Sequence, residues 1–353
     1  MQQAFNPNSV AQSDAGIFGL PIDSEQSQII IIPVPWEVTI SYGSGASEGP
    51  VAIFEASKQV DLCHHDFPDL WRKGIYLEPI PEDLRSLGTK TKLMAAQLVK
   101  ALENGMDQRD PALLSAYQKV NRACEKMNLW VKARAAYWRS QGKRVGLVGG
   151  DHSSPLGYLQ LQAEEYADFG LLVIDAHMDL RNAYEGFMYS HASIFYNALQ
   201  LPQIGKLVQV GIRDYCHEEK EFVQHQRDRV KIFFDRDMRK RLFEGETWST
   251  LCTEIIQSLP EKVYVSVDID GLDPKLCPNT GTPVPGGLQY EELINLLNAL
   301  KASDKTIIGF DLCEVSPGED DWDGNVGARL LFHLCGLLSK PSISDNSNSN
   351  AGC

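Results

Sequence analysis

Asp175-Ala-His-Met-Asp179 sets three metal-binding side chains at alternate positions, directly after the apolar run Leu171–Ile174. If the chain stays extended past that run, alternate side chains project the same way and meet at the strand's end. Carboxylate oxygens with imidazole nitrogen suit manganese, nickel or zinc rather than a thiolate-seeking metal. The same pattern returns in Asp268-Ile-Asp270-Gly-Leu-Asp273-Pro274, again after an apolar run. Gly149-Gly-Asp-His152 and Asp311-Leu-Cys-Glu314 follow two further runs. Isolated Asp residues after strands are ordinary turn formers, and Asp273 before Pro274 fits that role. Turn chemistry does not account for His152 or for two alternating sets. The ligand set is therefore His152, Asp175, His177, Asp179, Asp268 and Asp270. A catalytic zinc usually takes three protein ligands, so six donors with four carboxylates fit two ions with shared carboxylates. Such a pair lowers the pKa of a water held between the ions, which points to metal-assisted hydrolysis.

The elements that must position these residues are legible as alternating strand and helix signals. Strand-like runs occur at 29–32, 144–148, 171–174, 206–210, 230–234, 262–267 and 306–310. Helical spacing covers 88–105 and 110–141, and helices are expected at 51–57, 154–166, 192–199, 217–227, 246–258, 289–301 and 326–338. Alternation of this kind implies a three-layer α/β/α fold with a mainly parallel sheet, and ligands of such sheets bind at the strands' carboxyl ends. The aromatic and Met positions of 110–141 are core residues, not a cofactor box. Residues 1–27 are polar and aperiodic and are expected to form an arm on the surface or on a neighbouring subunit. Residues 28–338 form one domain, and the Ser/Asn-rich 339–353 a disordered tail. Cys63-His64-His65-Asp66 resembles a metal cluster, but neighbouring residues of an extended chain face opposite ways. These side chains are expected to be surface or packing groups.

The formal net charge of -14 argues against nucleic acid or an anionic membrane as partner. No basic-then-apolar leader is present at the start, and no apolar run approaches a membrane span. Eight scattered cysteines without a C-x-x-C pair indicate reduced thiols in a cytoplasmic protein.

Gly149-Gly-Asp-His152, Asp175-Ala-His-Met-Asp179 and Ser266-Val-Asp-Ile-Asp-Gly-Leu-Asp-Pro274 resemble the three signature motifs of the ureohydrolase superfamily, that of arginase and agmatinase. The likeness runs from about Ile29 through Gly49-Pro50 to Ala328-Arg-Leu-Leu331. It implies an arginase-like fold, two Mn2+ or Ni2+ ions per chain and a homotrimer or homohexamer, with a metallochaperone if the metal is nickel. It also implies that His152, Asp175, Asp179 and Asp268 hold one ion and His177, Asp175, Asp268 and Asp270 the other. Glu314 then matches the acid that holds the substrate guanidinium, a planar fork that a carboxylate pairs well. His191, in Tyr189-Ser-His-Ala, matches the proton-carrying histidine, and Asp179 orients the attacking water.

Substrate choice turns on the stretch after Asp179. Arginase's polar residues for an amino-acid tail are not reproduced, and His191-Ala192 stands where agmatinases have His-Gly. Arg181, if it faces the entrance, disfavours a long cationic tail. Trp322, in Asp320-Asp321-Trp322-Asp323, narrows the pocket, and Thr39 helps to line it; Trp36 is expected to pack. The assemblage resembles the guanidine-hydrolysing, nickel-using branch. The alternatives are an agmatinase, a guanidino-acid hydrolase such as guanidinobutyrase, a formimidoylglutamase, or a non-catalytic subunit of a ureohydrolase hetero-oligomer.

Overall fold

The computed structural model describes residues 5–12, 14–40 and 42–339. Its strands and helices run in the order β1 (Ile29–Val34), α1 (Gly49–Ser57), β2 (Ile75–Leu77), α2 (Glu82–Glu103), α3 (Pro111–Ser140), β3 (Arg144–Gly149), α4 (Leu156–Glu165), β4 (Phe169–Ile174), α5 (Ile194–Ala198), β5 (Ile204–Ile212), α6 (His217–His225), β6 (Val230–Phe234), α7 (Asp235–Phe243), α8 (Trp248–Gln257), β7 (Lys262–Asp268), α9 (Tyr290–Ala302), β8 (Thr306–Cys313) and α10 (Trp322–Leu338). The eight strands form one sheet in the order β2-β1-β3-β8-β7-β4-β5-β6. Every pairing between them is parallel.

The apolar runs form strands buried on both faces because successive side chains feed two different cores. Ile29 and Ile31 enter one core with residues of α1, α8, α9 and α10. Ile30 and Ile32 enter the other with residues of α2, α3, α4 and α5. Each fully buried aliphatic side chain contributes about 1.5–3 kcal/mol relative to exposure, so an all-apolar strand sits stably only between two helical layers. That is the arginase-like three-layer architecture.

Several expectations change in detail. β1 does not stop at Pro33: it continues through Val34, paired to Gly149. β8 extends three residues beyond 310, which places Asp311 inside the strand opposite Leu147 and Ser266 rather than at its end. β2 and α7 went unforeseen, β2 because three residues carry no period and α7 because Asp235–Phe243 is mostly charged.

The segment expected to be a surface arm is anchored from Ala15 onward. Ile17, Phe18 and Leu20 are buried in the α10 core. The Phe18 ring meets Phe332 edge-on at 4.9 Å, and its backbone N–H donates to Ser57 Oγ at 2.9 Å. Residues 1–4, residue 13, residue 41 and the tail from 340 onward lie outside the described residues.

Candidate metal centre

The strand order brings β3, β8, β7 and β4 side by side in the middle of the sheet. Because all four run parallel, their carboxyl ends, and the residues that follow, share one edge. Past β3, Gly150 is needed for close approach: an added Cβ would lie 1.9 Å from Trp36 O. Asp151 ties the turn together by accepting from Ser153 N at 3.0 Å and Val38 N at 3.2 Å. Burial pushes its carboxyl up to about 6. His152 follows, wholly buried.

Past β4, Asp175 Oδ1 accepts from His177 N at 2.6 Å, and Ala176 N donates to Asp270 Oδ1 at 3.0 Å. Past β7, Asp268 Oδ1 accepts from Asp270 N at 2.9 Å. Asp179 and Glu314 both take positive φ, 52° and 64°, a strained conformation for residues with a Cβ. Strain of this kind persists where the surrounding structure holds it, and here it turns both acids into the same space.

The six expected ligands do come together. His152 Nδ1 lies 3.1 Å from Asp175 Oδ2, 3.3 Å from Asp268 Oδ2 and 3.4 Å from Asp179 Oδ2. His177 Nδ1 lies 3.1 Å from Asp270 Oδ2 and 3.6 Å from Asp175 Oδ1. Asp175 thus turns one oxygen to each histidine, and the donors fall into the two groups His152/Asp175/Asp179 and Asp175/His177/Asp270.

A tautomer argument tests whether cations fit. Ser266 Oγ donates to Asp311 Oδ1 at 3.0 Å and lies 2.9 Å from His152 Nε2. A hydroxyl has one hydrogen, so His152 must donate from Nε2, which in the neutral ring leaves a lone pair on Nδ1. That lone pair, without a hydrogen-bond partner, faces three carboxylate oxygens. Asp175 Oδ2 is likewise unpartnered. Lone pairs converging on one point call for a cation between them, and the Ser266–Asp311 relay is the backing that metal-bound imidazoles characteristically have.

The same carboxylates also draw a proton onto the imidazoles, the other positive charge that can sit between them. Burial pulls the His152 imidazole down, but Asp175, Asp179 and Asp268 more than reverse it, and the net shift is well upward. Burial again opposes, and Asp270 and Asp175 drive, a large upward shift of His177. Asp268 is pushed well up by burial and then by Asp270 and Asp175. The cluster holds more negative charge than it can bury without positive charge among the carboxylates.

The acids open on a cavity of about 170 Å3. Glu314 lines it, with Oε1 accepting from His152 N at 2.8 Å. Burial first, then Asp268 and Asp151, pushes Glu314 well above the usual carboxylate range. His191 is also in the wall; burial first, and the His177 and His152 imidazoles next, hold it down at about 4. Arg181 reaches the mouth, its guanidinium 4.7 Å from the Tyr184 ring centre and its Nε 3.9 Å from Glu219 Oε2.

Two expected lining residues are elsewhere. Trp322 begins α10, is 44% exposed and donates its indole N–H to Lys275 O at 2.9 Å, outside this cavity. Thr39 is buried on the first loop, also outside the lining. Trp36 packs in the core, as expected. Asp214, Tyr215, Glu219 and Thr282 line the cavity without having been foreseen. For Asp214 a signal existed, since β5 is a fifth parallel strand ending at this edge, with Asp214 two residues beyond it.

Among the described residues no helix is long and apolar enough to cross a membrane, and the seven cysteines are unpaired.

An all-parallel sheet delivering two sets of metal donors and a buried acid to one edge defines a metal-dependent hydrolase. The chain belongs to the arginase family, whose model matches residues 27–336, and it is a ureohydrolase acting on C–N bonds. It is 32% identical to the N(1)-aminopropylagmatine ureohydrolase of Thermus thermophilus over 313 residues, 89% of this chain and 91% of that one. The agmatinase of Salmonella enteritidis is 30% identical, covering 89% of each chain. Among solved structures, the agmatine ureohydrolase of Thermoplasma volcanium superposes with a TM-score of 0.67 at 24% identity, covering 89% of this chain and 90% of that one. The proclavaminate amidino hydrolase of Streptomyces clavuligerus superposes at 0.69 and 23% identity, covering 94% and 98%.

Proposed function

We propose that the chain hydrolyses guanidine itself: guanidinium and water yield urea and ammonium. Arg181 at the mouth of a small cavity carries this choice, because a fixed positive charge there opposes substrates with a long cationic tail. His152, Asp175, Asp179 and Asp268 would hold one divalent ion, and His177, Asp175, Asp268 and Asp270 a second, Mn2+ or Ni2+ by donor type. Bound there, the ions would supply water activation near neutral pH and stabilise the oxygen that adds to the guanidinium carbon.

The remaining work falls to the chain's own side chains. Glu314 holds the guanidinium by its carboxylate, the planar acceptor for that donor fork. Its Oε1 is committed to His152 N, so Oε2 faces the substrate. Asp179, kept in place by its strained backbone, accepts a hydrogen bond from the attacking water. His191, kept neutral, takes up a proton and delivers it to the departing amine. Assembly as a homotrimer or homohexamer in the cytoplasm belongs to the same proposal.

A second reading has its own support. Asp214 and Glu219 share the mouth with Arg181, and two acids against one base suit an agmatine-like tail, the substrate type that the relatives' names carry. The deciding experiment loads the stripped protein separately with Mn2+ and Ni2+. It measures urea and ammonia from guanidine, agmatine, arginine, guanidinobutyrate and formimidoylglutamate. Guanidine should give the highest kcat/KM; higher turnover of agmatine would overturn the choice and leave the metal chemistry standing.

A further inference from the structure

Far along the chain from every ligand named above, α10 carries His333, for which the hydrolytic site has no use. Its side chain is fully buried, and neither ring nitrogen has a hydrogen-bond partner. Buried polar groups are nearly always paired, and no protein group pairs with either nitrogen of this imidazole. Around it stand Phe67, with ring centres 5.1 Å apart, and His64, at 5.4 Å. Aromatic packing explains the stacking but leaves the nitrogens unsatisfied. Asp66 Oδ2 is 4.0 Å from His333 Nδ1. One donor atom from each of His64, Asp66 and His333 falls within 4.8 Å of the others.

We propose that His64, Asp66 and His333 form an additional site for one divalent first-row cation of the zinc type, sharing no residue with the hydrolytic centre. Two imidazoles and a carboxylate are a three-ligand set that leaves one coordination position open. Both histidines are suited to ligation because burial favours their neutral forms: His333 is held down at about 4, and His64 is lowered as well. Bonds of about 2.1 Å in a tetrahedral site place donor atoms about 3.4 Å apart, slightly tighter than the observed spacing. Asp66 sits on the loop between α1 and β2 and can close that difference. His64 Nδ1 accepts a 3.2 Å bond from Asp66 N, which ties the two donor residues together.

The site has an entrance. His64 and Asp66 also line a cavity of about 840 Å3 together with Tyr290 and Glu291, which gives a cation a way in. His65 lines the cavity too but is not part of the donor set. An ion here joins the α1–β2 loop to α10, the helix that follows the Glu314 loop.

The test is a zinc count by equilibrium dialysis on chelator-stripped full-length protein, comparing the native chain with Asp66→Asn and His333→Phe. The native chain should take up one zinc more than either variant, whatever the total, with binding to that ion weakened by about 100-fold or more on loss of a ligand. Asp66→Asn changes a loop side chain and keeps the test valid if His333→Phe does not fold. Asp175→Ala should retain the additional ion, which separates failure of this site from failure of the binuclear reading. Equal counts in the native chain and Asp66→Asn would overturn the proposal.

Discussion

Glu314→Gln isolates the charge of the acid assigned to the guanidinium. Glutamine keeps an oxygen for His152 N, the 2.8 Å bond that ties Glu314 to the metal-ligand loop. With that oxygen committed, the new NH2 group faces the cavity and stands opposite the donors of a guanidinium. A charge-assisted bond contributes about 1.5–3 kcal/mol, and a buried donor left unpaired costs about 1–3 kcal/mol more. A loss of about 3–4 kcal/mol, in the lower half of the combined range, corresponds to roughly 140- to 700-fold in kcat/KM, since 1.4 kcal/mol is tenfold. The assay is steady-state urea release with guanidine, beside a metal count on the same sample. The count should equal that of the native enzyme, because Glu314 is outside both donor groups. A fall in kcat/KM below about fivefold would refute the assigned role, and loss of metal would show that Glu314 belongs to the metal shell.

Three further outcomes follow from the same geometry. Asp175→Ala removes a carboxylate that turns one oxygen to each donor group. It should lower the metal content at both positions together and abolish turnover; loss of a single ion would mean that Asp175 is not shared. His191→Gln should reduce kcat by about 100-fold or more. A histidine depressed to about 4 is neutral above roughly pH 5, so the kcat profiles of both enzymes should share their shape between pH 5.5 and 8. A native inflection near 6.5 that disappears in the variant would contradict the depressed pKa, and a kcat within fivefold of native would contradict the role. Arg181→Ser should raise agmatine turnover relative to guanidine. Two unit charges about 6 Å apart at an effective dielectric of about 40 repel by about 1.4 kcal/mol, or tenfold. The ratio should stay unchanged if Glu219 already neutralises Arg181.

The candidate donors were legible in the sequence because each set is local: an apolar run fixes a strand, and the acids and histidines follow at its end. The chain turns there instead of staying extended, with Asp179 at positive φ and Asp270 in a 3-10 turn. Asp175, His177 and Asp179, and likewise Asp268 and Asp270, needed no long-range information to be paired. The same locality misled at Asp311, where a polar residue was taken to mark the strand's end. In the fold it lies within β8, backing His152 through Ser266. Trp322 was given to the pocket by comparison with the agmatinase pattern, but the start of α10 carries it to the surface.

What the sequence determined by itself was the layered architecture and the six candidate metal donors, since both rest on short-period patterns of apolar and charged residues. Only the tertiary structure decided which oxygen faces which imidazole. It also brought Asp214 and Glu219 to the mouth and set His333 against a loop more than 260 positions earlier. These are contacts between elements remote in the chain, set by the order of strands in the sheet and the packing of helices across it. No local period encodes them.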